Sequence, residues 1–301
     1  EATMPQRQIV WLPDKTGALG LMPAHLNGLG AVGVKAVTFF PRNEGTTIDS
    51  HQGAVLLFET GRGRLLAVID ATSVTAVRTA AVTALATRLL AKEDAGDLAL
   101  VGSGVQARTH LEAMLLVRSI RRVRVASKTF EKAKAFAERE SKRHSIAVTP
   151  CATVREAVEG ADIVCTATSS RTPIVLGEWL SPGAHVNAVG SSVASARELD
   201  AAAVGRSRFF VDLREAALAE AGDFLLARQE GAVTDDHIAG DLGELLLGTV
   251  EGRRDAAEIT AFKSVGLAVE DVAAAQHIYG KARGSGIGKF VEFGGTRNEA
   301  D

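Results

Sequence analysis

The fold is decided by one stretch, Leu98-Ala99-Leu100-Val101-Gly102-Ser103-Gly104-Val105-Gln106-Ala107. Four apolar residues in a row are typical of a strand that is buried on both faces, and the glycines after them predict a tight turn. A helix is then expected across Ala107–Val117. The stretch therefore predicts the strand–turn–helix unit of an α/β protein.

The same rhythm continues towards the C terminus, where apolar strands alternate with helices such as the one predicted over Glu131–Arg143. A parallel sheet buried on both faces requires this alternation. We predict an α/β fold that contains a Rossmann-like parallel sheet domain. Its further strands are predicted at Val123–Ala126, Ile163–Thr166, Val186–Val189 and Phe209–Val211.

The residues before the stretch follow a different pattern, in which turn signals such as Gly61-Arg62-Gly63 separate short apolar or β-branched runs. A long helix from about Thr72 to Ala91 follows, because apolar residues recur there at helical spacing. The tail from Glu258 to Arg283 is predicted to be helical. The strands predicted in this part of the chain are Gln8–Leu12, Val34–Phe40, Ala54–Glu59 and Leu65–Ile69.

The change of pattern near Lys92–Asp97 predicts a domain boundary. With 301 residues, the chain is too long for one ordinary core and suits two domains. We predict a Rossmann dinucleotide-binding domain over residues 96–265. A second, α+β domain is predicted over residues 1–95 and 266–301, with the last helix returning to it.

The composition excludes several classes of protein. A hydrophobic fraction of 46% with 23% charged residues is typical of a soluble globular chain. The net charge of -2 does not point to nucleic acid or to an anionic membrane, and we find neither a signal peptide nor an apolar stretch of transmembrane length. Cys151 and Cys165 are expected to be free thiols, which favours a cytoplasmic location. The histidines lack ligand-like spacing, so no metal site is predicted.

The glycine turn suits the pyrophosphate of a dinucleotide. Gly102 permits the tight turn, Gly104 lets the backbone approach the phosphates, and Ala107 lets helix and strand pack closely. The alternative is an ordinary strand-to-helix turn, but the strand–turn–helix–strand setting favours the nucleotide. The predicted cofactor-binding residues of this turn are Gly102, Ser103, Gly104, Val105, Gln106 and Ala107.

The end of the second parallel strand bears on the choice of cofactor. An NAD enzyme usually places an Asp or Glu there to bind the ribose hydroxyls, whereas here the segment is Ala126-Ser127-Lys128-Thr129 and no carboxylate follows until Glu131. A cation and two hydroxyls suit a 2′-phosphate, although Lys128 can also be read as a solvated surface residue. We predict NADP(H) rather than NAD(H), bound in part by Ser127, Lys128 and Thr129.

Several stretches resemble the ornithine cyclodeaminase/mu-crystallin family across nearly the whole chain. The most specific are His51-Gln52-Gly53-Ala54-Val55-Leu56-Leu57-Phe58 and Arg78-Thr79-Ala80-Ala81. The glycine turn, with Gln106, also matches, as do Asn187-Ala188-Val189-Gly190 and Phe262-Lys263-Ser264-Val265-Gly266.

The resemblance implies that the second domain binds the substrate and forms a homodimer. It also implies a helical segment before the first strand; since the chain begins at Glu1, we expect part of the protein to precede it. To the predicted cofactor-binding residues we add Thr79, Thr166, Val189, Gly190 and Ser264.

By the same resemblance, a substrate carboxylate is bound by three cations, Arg7, Lys35 and Arg78. Chemistry supports this transfer, because Lys35 lies in an apolar strand and Arg78 among alanines and valines, where an unpaired cation is costly. A bound carboxylate would compensate these charges. The alternative is that each cation pairs with Asp or Glu or reaches solvent.

The second position after the Asn187–Gly190 stretch distinguishes between reactions. Family members that deaminate or oxidise amino acids carry an Asp there, as we align them, and Ser192 stands in its place. Oxidising an ammonium substrate needs a general base, which a serine does not provide unaided, whereas reducing a preformed imine does not. Mu-crystallin, a ketimine reductase of this family, also has a small hydroxyl residue at that position.

We therefore predict an NADP-dependent ketimine reductase that acts on cyclic imino acids of the pyrroline- or piperideine-2-carboxylate type. The predicted catalytic residues are Lys35, His51 and Ser192, with Lys35 or His51 supplying the proton; His51 can equally be a packed structural histidine. We interpret Asp212 and Asp223 as turn or capping residues. The alternatives are an ornithine cyclodeaminase, a low-turnover protein that binds small ligands, and a reductase of linear imines.

Overall fold

The computed structural model describes residues 2–43 and 45–293. The chain groups into two units, one formed by Glu1–Arg78 with Leu267–Asp301 and the other by Thr79–Gly266. The first boundary therefore falls between Arg78 and Thr79. Residues 79–95, which the sequence-based division assigns to the domain of the N-terminal half, group with the parallel-sheet unit.

Strands and helices are numbered in chain order within the described residues. The strands are β1 (Ala2–Thr3), β2 (Gln8–Trp11), β3 (Ala18–Leu26), β4 (Ala31–Phe39), β5 (His51–Glu59), β6 (Leu65–Asp70), β7 (Asp97–Val101), β8 (Arg122–Ala126), β9 (Val148–Pro150), β10 (Ile163–Thr166), β11 (His185–Ala188), β12 (Ser207–Val211), β13 (Ile238–Asp241) and β14 (Ile259–Lys263). The helices are α1 (Ala71–Leu90), α2 (Val105–Val117), α3 (Phe130–His144), α4 (Val154–Val158), α5 (Ala201–Arg206), α6 (Arg214–Glu220), α7 (Gly222–Gln229), α8 (Leu242–Leu247) and α9 (Ala268–Ser285).

The first unit is built on an antiparallel sheet with the order β1-β3-β4-β5-β6, and β2 also pairs with β3. Helix α9 and the start of α1 pack on one face of this sheet. Alternate residues of each strand point to that face and form a core with the two helices. The core on that face contains Met22, Val55, Leu57, Val74 and Val272. The sheet therefore has one covered face and one face without this apolar packing.

The second unit is built on a parallel sheet with the order β13-β12-β14-β11-β10-β7-β8-β9. Its strands are buried on both faces: Leu98 and Leu100 belong to one hydrophobic cluster, and Ala99 and Val101 belong to another. This explains the unbroken apolar run of β7 and confirms the predicted α/β class with a Rossmann-like sheet. From β7 the chain runs out to β8 and β9 and then returns to β10 on the other side, so the topological switch point, where ligands of open α/β sheets bind, lies at the carboxyl ends of β7 and β10.

The prediction of a continuous helix from Glu258 to Arg283 is wrong. Residues Ile259–Lys263 form strand β14, which is fully buried and lies between β11 and β12 in the sheet. Gly266, at a φ of 79°, follows this strand, and α9 begins only at Ala268. Branched and aromatic residues at the start of the segment favour the strand once neighbours on both sides are available.

In the described ranges, no helix is both long enough and apolar enough to cross a bilayer.

Cys151 and Cys165 are buried free thiols, as predicted.

Candidate active site

The residues predicted to bind the cofactor gather at one edge of the parallel sheet. In the strand register, Val101 lies beside Ala126 and Thr166, Thr166 beside Ala188, and Ala188 beside Lys263. The strands β7, β8, β10, β11 and β14 therefore end together, and the segments that follow them leave from the same edge. Ligands of open α/β sheets bind at this carboxyl edge. The predicted residues at or just beyond it are Gly102, Ser103, Gly104, Val105, Gln106, Ala107, Ser127, Lys128, Thr129, Thr166, Val189, Gly190 and Ser264.

The glycine turn fits a dinucleotide pyrophosphate on two observations. Gly102 has a φ of 121°, and a Cβ atom there would lie 2.4 Å from the carbonyl oxygen of Ala167, so only glycine suits the turn. A Cβ atom on Gly104 would meet nothing within 4 Å, so the space beside the first turn of α2 is open. Gly104 is also the N-cap of α2 and has no side chain with which to cap the helix amides. These amides are thus suited to hold an anion.

The end of β8 presents hydroxyl and ammonium groups next to this turn. The Ser127 Oγ lies 2.7 Å from the Ser103 Oγ, which links the end of β8 to the glycine turn. Lys128 is exposed. The Thr129 Oγ1 accepts a hydrogen bond from the Lys132 amide at 3.4 Å and so caps α3. This capping role was not predicted for Thr129, and it occupies one acceptor site of its hydroxyl.

A buried carboxylate, Glu198, holds together the segments that follow β10 and β11. Its Oε1 accepts hydrogen bonds from the amide and the hydroxyl of Thr168, both at 2.7 Å. Its Oε2 accepts from the Thr166 hydroxyl at 2.6 Å and the Gly190 amide at 2.7 Å. Burial raises the pKa of Glu198, and these donors together with the Lys263 charge oppose that rise. A Cβ atom on Gly190 would lie 2.2 Å from the Thr168 carbonyl oxygen, which explains the glycine in the Asn187–Gly190 stretch.

The two aspartates interpreted as turn or capping residues bind backbone amides of segments that are distant in sequence. Asp212 Oδ2 accepts from the amides of Val265 and Gly266, both at 2.7 Å. Asp223 Oδ1 accepts from the amides of Glu198 and Leu199, and its Oδ2 also lies 2.9 Å from the Lys263 Nζ. Lys263 and Asp223 are both fully buried, so they form an internal ion pair beneath this edge of the sheet.

Ser192 lies in the segment after β11, two residues beyond Gly190, and is half-buried. The neighbouring Ser191 donates its hydroxyl hydrogen to the Ala196 carbonyl, which fixes the start of this segment. Ser192 is therefore placed on a loop anchored at Gly190 by Glu198 and at Ser191 by its own side chain.

In the first unit, Lys35 lies on β4 with its side chain on the face covered by α9. Its Nζ is 2.8 Å from Asp271 Oδ2 of α9 and donates to the Thr75 hydroxyl of α1 at 3.4 Å. Burial and the nearby Arg78 charge lower the pKa of Lys35 to about 8, and Asp271 opposes that change. The ammonium form therefore predominates at neutral pH and is lost as the pH rises through about 8.

Arg78, on α1, is held by two carboxylates of α9. Its Nε donates to Asp271 Oδ1 at 3.0 Å, and its Nη1 donates to Glu270 Oε2 at 2.6 Å. Lys35 and Arg78 thus both pair with acidic residues of the protein. Such pairing was the alternative to compensation of their charges by a bound substrate carboxylate. The pairing fixes where the guanidinium lies.

Arg7 completes this group. It is half-buried, and its charge lowers the pKa of Lys35, so it lies near enough to act on that ammonium. We call Arg7, Lys35, Arg78, Glu270 and Asp271 the cation cluster. Three cationic side chains thus lie near one another in this unit.

The His51 side chain lies on the same face of the antiparallel sheet as the Lys35 side chain. The strand register pairs Lys35 with Val55, and His51 is four residues before Val55, so alternation places both side chains on the same side. The His51 ring packs on Phe39, with 4.7 Å between ring centroids. Partial burial and the Lys35 charge lower the pKa of His51, so the ring is mainly neutral at pH 7.

Sequence reasoning missed the acidic members of the cation cluster and the Glu198 clamp. Glu270 and Asp271 form an adjacent acidic pair at the start of α9, a position where many helices carry acidic residues for capping, so their pattern is not distinctive. The structure places Thr79 on α1 directly after Arg78, buried.

A Rossmann-like sheet with an open glycine turn is typical of a dinucleotide-binding protein. The chain belongs to the ornithine cyclodeaminase/mu-crystallin family, whose model matches residues 1–286. This confirms the resemblance.

Known proteins of this kind match most of the chain. Ketimine reductase mu-crystallin of Mus musculus is 42% identical over 275 residues, which are 91% of this chain and 84% of the relative. The solved structure of Thermococcus litoralis Delta(1)-pyrroline-2-carboxylate reductase in complex with NADH and L-proline has a TM-score of 0.93 and 39% identity, covering 96% of this chain and 90% of that one. An archaeal alanine dehydrogenase dimer with bound NAD has a TM-score of 0.90 and 32% identity, covering 97% and 89%.

Proposed function

We propose that the protein is an NAD(P)H-dependent reductase of cyclic imino acids of the pyrroline- or piperideine-2-carboxylate type. The observation that carries the proposal is the cation cluster, in which the buried Lys35 ammonium and the buried Arg78 guanidinium share the Asp271 carboxylate. Similarity to a ketimine reductase and to a pyrroline-2-carboxylate reductase supports it. In both of these relatives the name states reduction of a carbon–nitrogen double bond.

The residues of the chain take distinct roles in this reaction. Arg78 and Arg7 bind the substrate carboxylate, and the glycine turn with the amides at the start of α2 binds the dinucleotide phosphates. A reduced nicotinamide supplies the hydride that the imine carbon accepts. The Lys35 ammonium donates a proton to the imine nitrogen, so that the product is a cyclic amino acid with a secondary amine. His51, which is mainly neutral, accepts a hydrogen bond or relays a proton rather than supplying one.

Ser192 favours reduction over deamination. It provides a hydroxyl and no base at the position where we align an Asp in the deaminating and oxidising members. A hydroxyl donates or accepts a hydrogen bond with the substrate nitrogen or with water, but it does not remove a proton from an ammonium at neutral pH without a neighbouring base.

Two parallel assays with the purified protein test the proposed function. One contains NADPH or NADH with pyrroline-2-carboxylate and follows nicotinamide absorbance; the other contains NAD with ornithine and detects proline. We expect rapid oxidation of the reduced cofactor in the first assay and no proline in the second. Proline formed from ornithine would establish a cyclodeaminase instead. Inactivity in both assays would favour a linear imine substrate or a binding protein of low turnover.

We further propose that the preferred cofactor is NADP(H), bound at its 2′-phosphate by Lys128 with Ser127 and Thr129. Lys128→Asp is expected to reduce the preference for NADPH over NADH about tenfold to a hundredfold, because a charge-assisted hydrogen bond is replaced by repulsion. The measurement is kcat/KM for each cofactor. Lys132→Asp, an exposed lysine on the first turn of α3, is the matched control and should leave the ratio unchanged. An unaltered ratio in Lys128→Asp would rule out this assignment.

We also propose a homodimer formed through the face of the antiparallel sheet that is opposite α9. The register aligns Val34, Leu56 and Val68 across three strands on that face, and Val68 is 55% exposed while the other two are half-buried. Val10 and Val32 on the same face are exposed as well. A contiguous apolar patch of this kind marks an interface. The alanine dehydrogenase with a similar structure is a dimer.

Leu56→Asp is expected to raise the dissociation constant of the dimer about a hundredfold or more, because a carboxylate would be buried without a partner at the centre of this patch. Sedimentation velocity over a range of concentrations measures the change. Leu116→Asp is the control, since Leu116 is an apolar residue of α2 that is 86% exposed and lies outside the patch. A Leu56→Asp variant that sediments like the wild type would place the interface elsewhere.

The cytoplasm is the compartment we propose, because the buried thiols of Cys151 and Cys165 suit a reducing environment.

A further inference from the structure

Asp271 joins the two buried cations of the cation cluster. One carboxylate oxygen, Oδ2, lies 2.8 Å from the Lys35 Nζ, and the other, Oδ1, accepts from the Arg78 Nε at 3.0 Å. The Asp271 side chain is fully buried. A single carboxylate thus fixes the distance between the proposed proton donor and the proposed carboxylate clamp.

The position of Asp271 is set by the start of α9. Asp271 and Glu270 lie in the first turn of this helix, and Glu270 Oε2 also accepts from the Leu267 amide at 3.3 Å. Val272, the next residue of α9, is fully buried in the core of the first unit. The helix that carries the carboxylate is thus anchored by its packing.

Opposing charges act on the Lys35 ammonium from every element that packs against it. Arg78 on α1 and Arg7 before β2 destabilise the ammonium, as does burial, while Asp271 on α9 stabilises it. Thr75 on α1 accepts one of its hydrogens, and His51 on β5 is a neighbour whose own pKa is lowered by the Lys35 charge. Asp271 is the carboxylate in direct contact with this ammonium.

We propose that Asp271 is a positioning residue for imine reduction, which holds the Lys35 ammonium in place beside Arg78 and keeps it protonated at the pH of the reaction. This inference rests on the proposed function, because Asp271 has this role only if Lys35 delivers a proton to the imine. After Lys35 has donated its proton to the imine nitrogen, Asp271 favours uptake of a new proton from solvent.

The first test measures the protonation of Lys35 without any turnover. The protein is labelled with lysine that carries carbon-13 at the ε position, the Lys35 resonance is assigned through Lys35→Arg, and its titration midpoint is recorded. We expect the midpoint to fall by about one pH unit or more in Asp271→Asn, since an opposite charge in contact has been removed. Glu270→Gln, which removes the neighbouring carboxylate of the same helix turn, is expected to lower it less. Asp271→Ser, which is smaller and also uncharged, repeats the test if Asp271→Asn does not fold.

The second test compares pH profiles of kcat for pyrroline-2-carboxylate reduction. In Asp271→Asn, the alkaline limb should move to lower pH by about the same amount as the Lys35 midpoint, and Asp271→Glu, which keeps the charge, should restore the limb. An unchanged Lys35 midpoint overturns the inference. A midpoint that falls while the alkaline limb stays in place also overturns it, since Lys35 would then not supply the proton. Failure of the proposed function is seen separately, as absence of reductase activity in the wild-type protein.

Discussion

Replacing Arg78 by alanine is expected to raise the KM for the imino acid about a hundredfold or more, with a smaller effect on the KM for the cofactor. A charge-assisted hydrogen bond to a carboxylate is among the strongest polar contacts that a side chain makes. Removing Arg78 also takes one positive charge away from the carboxylates of Glu270 and Asp271. The cluster then attracts an anionic substrate less strongly. Steady-state kinetics with the imino acid as the varied substrate measures the effect.

Arg88→Ala is the matched control for this variant, because Arg88 is an exposed arginine near the other end of the same helix. It should leave both KM values unchanged. Loss of a buried ion-pair partner also destabilises a protein, so the unfolding temperature of Arg78→Ala must show that the variant is folded at the assay temperature. A folded Arg78→Ala variant with a KM near that of the wild type would exclude the carboxylate clamp. Arg78→Lys keeps the charge but not the planar fork, and we expect an intermediate KM.

Lys35→Met is expected to lower kcat by about two to four orders of magnitude, the range that a positioned general acid contributes. Methionine has a similar length and no charge, so it fills the volume on β4 without offering a proton. In the wild-type protein, kcat should decline as the pH rises through about 8, where the Lys35 ammonium is lost. The Lys35→Met variant should not show this decline. The measurement is the pH profile of kcat for both proteins.

Lys281→Met, on the exposed side of α9, is the control for the loss of a lysine and should keep the wild-type profile. If the Lys35→Met variant retains wild-type kcat, another group donates the proton. His51 is the candidate that would then need testing, because it lies on the same sheet face. The two large predictions are separable, since Arg78→Ala acts mainly on KM and Lys35→Met mainly on kcat.

The strands of the parallel sheet were the elements that could be predicted most directly from the sequence. The run Leu98–Val101 and its counterpart Ile163–Cys165 are apolar without interruption, because both faces of each strand are buried. By contrast, β3 was not predicted. Its sequence, from Ala18 to Leu26, contains Gly20 and Pro23, which are poor strand formers, and it becomes a strand because β4 pairs with it over its whole length and β1 and β2 pair on its other side.

Some residues of the candidate site could likewise be predicted from the sequence, and others could not. The glycine turn at Gly102 and Gly104 could be predicted because its function depends on backbone conformation, which local residue types encode. The cations Lys35 and Arg78 could be proposed because a charge in an apolar segment needs compensation. Their compensating carboxylates could not be identified, since Arg78 and Asp271 are separated by 193 residues and no local pattern links them.

By itself, then, the sequence determined the α/β class, the nucleotide turn and the family, because each depends on patterns that are contiguous along the chain. Only the tertiary structure decided that β14 lies between β11 and β12, that Glu198 joins the segments after β10 and β11, and that Asp271 sits between Lys35 and Arg78. The physical reason is the range of the interactions. Strand propensity, helix periodicity and turn geometry act over a few residues, whereas pairing order and the neutralisation of buried charge depend on which distant segments share one low-dielectric space.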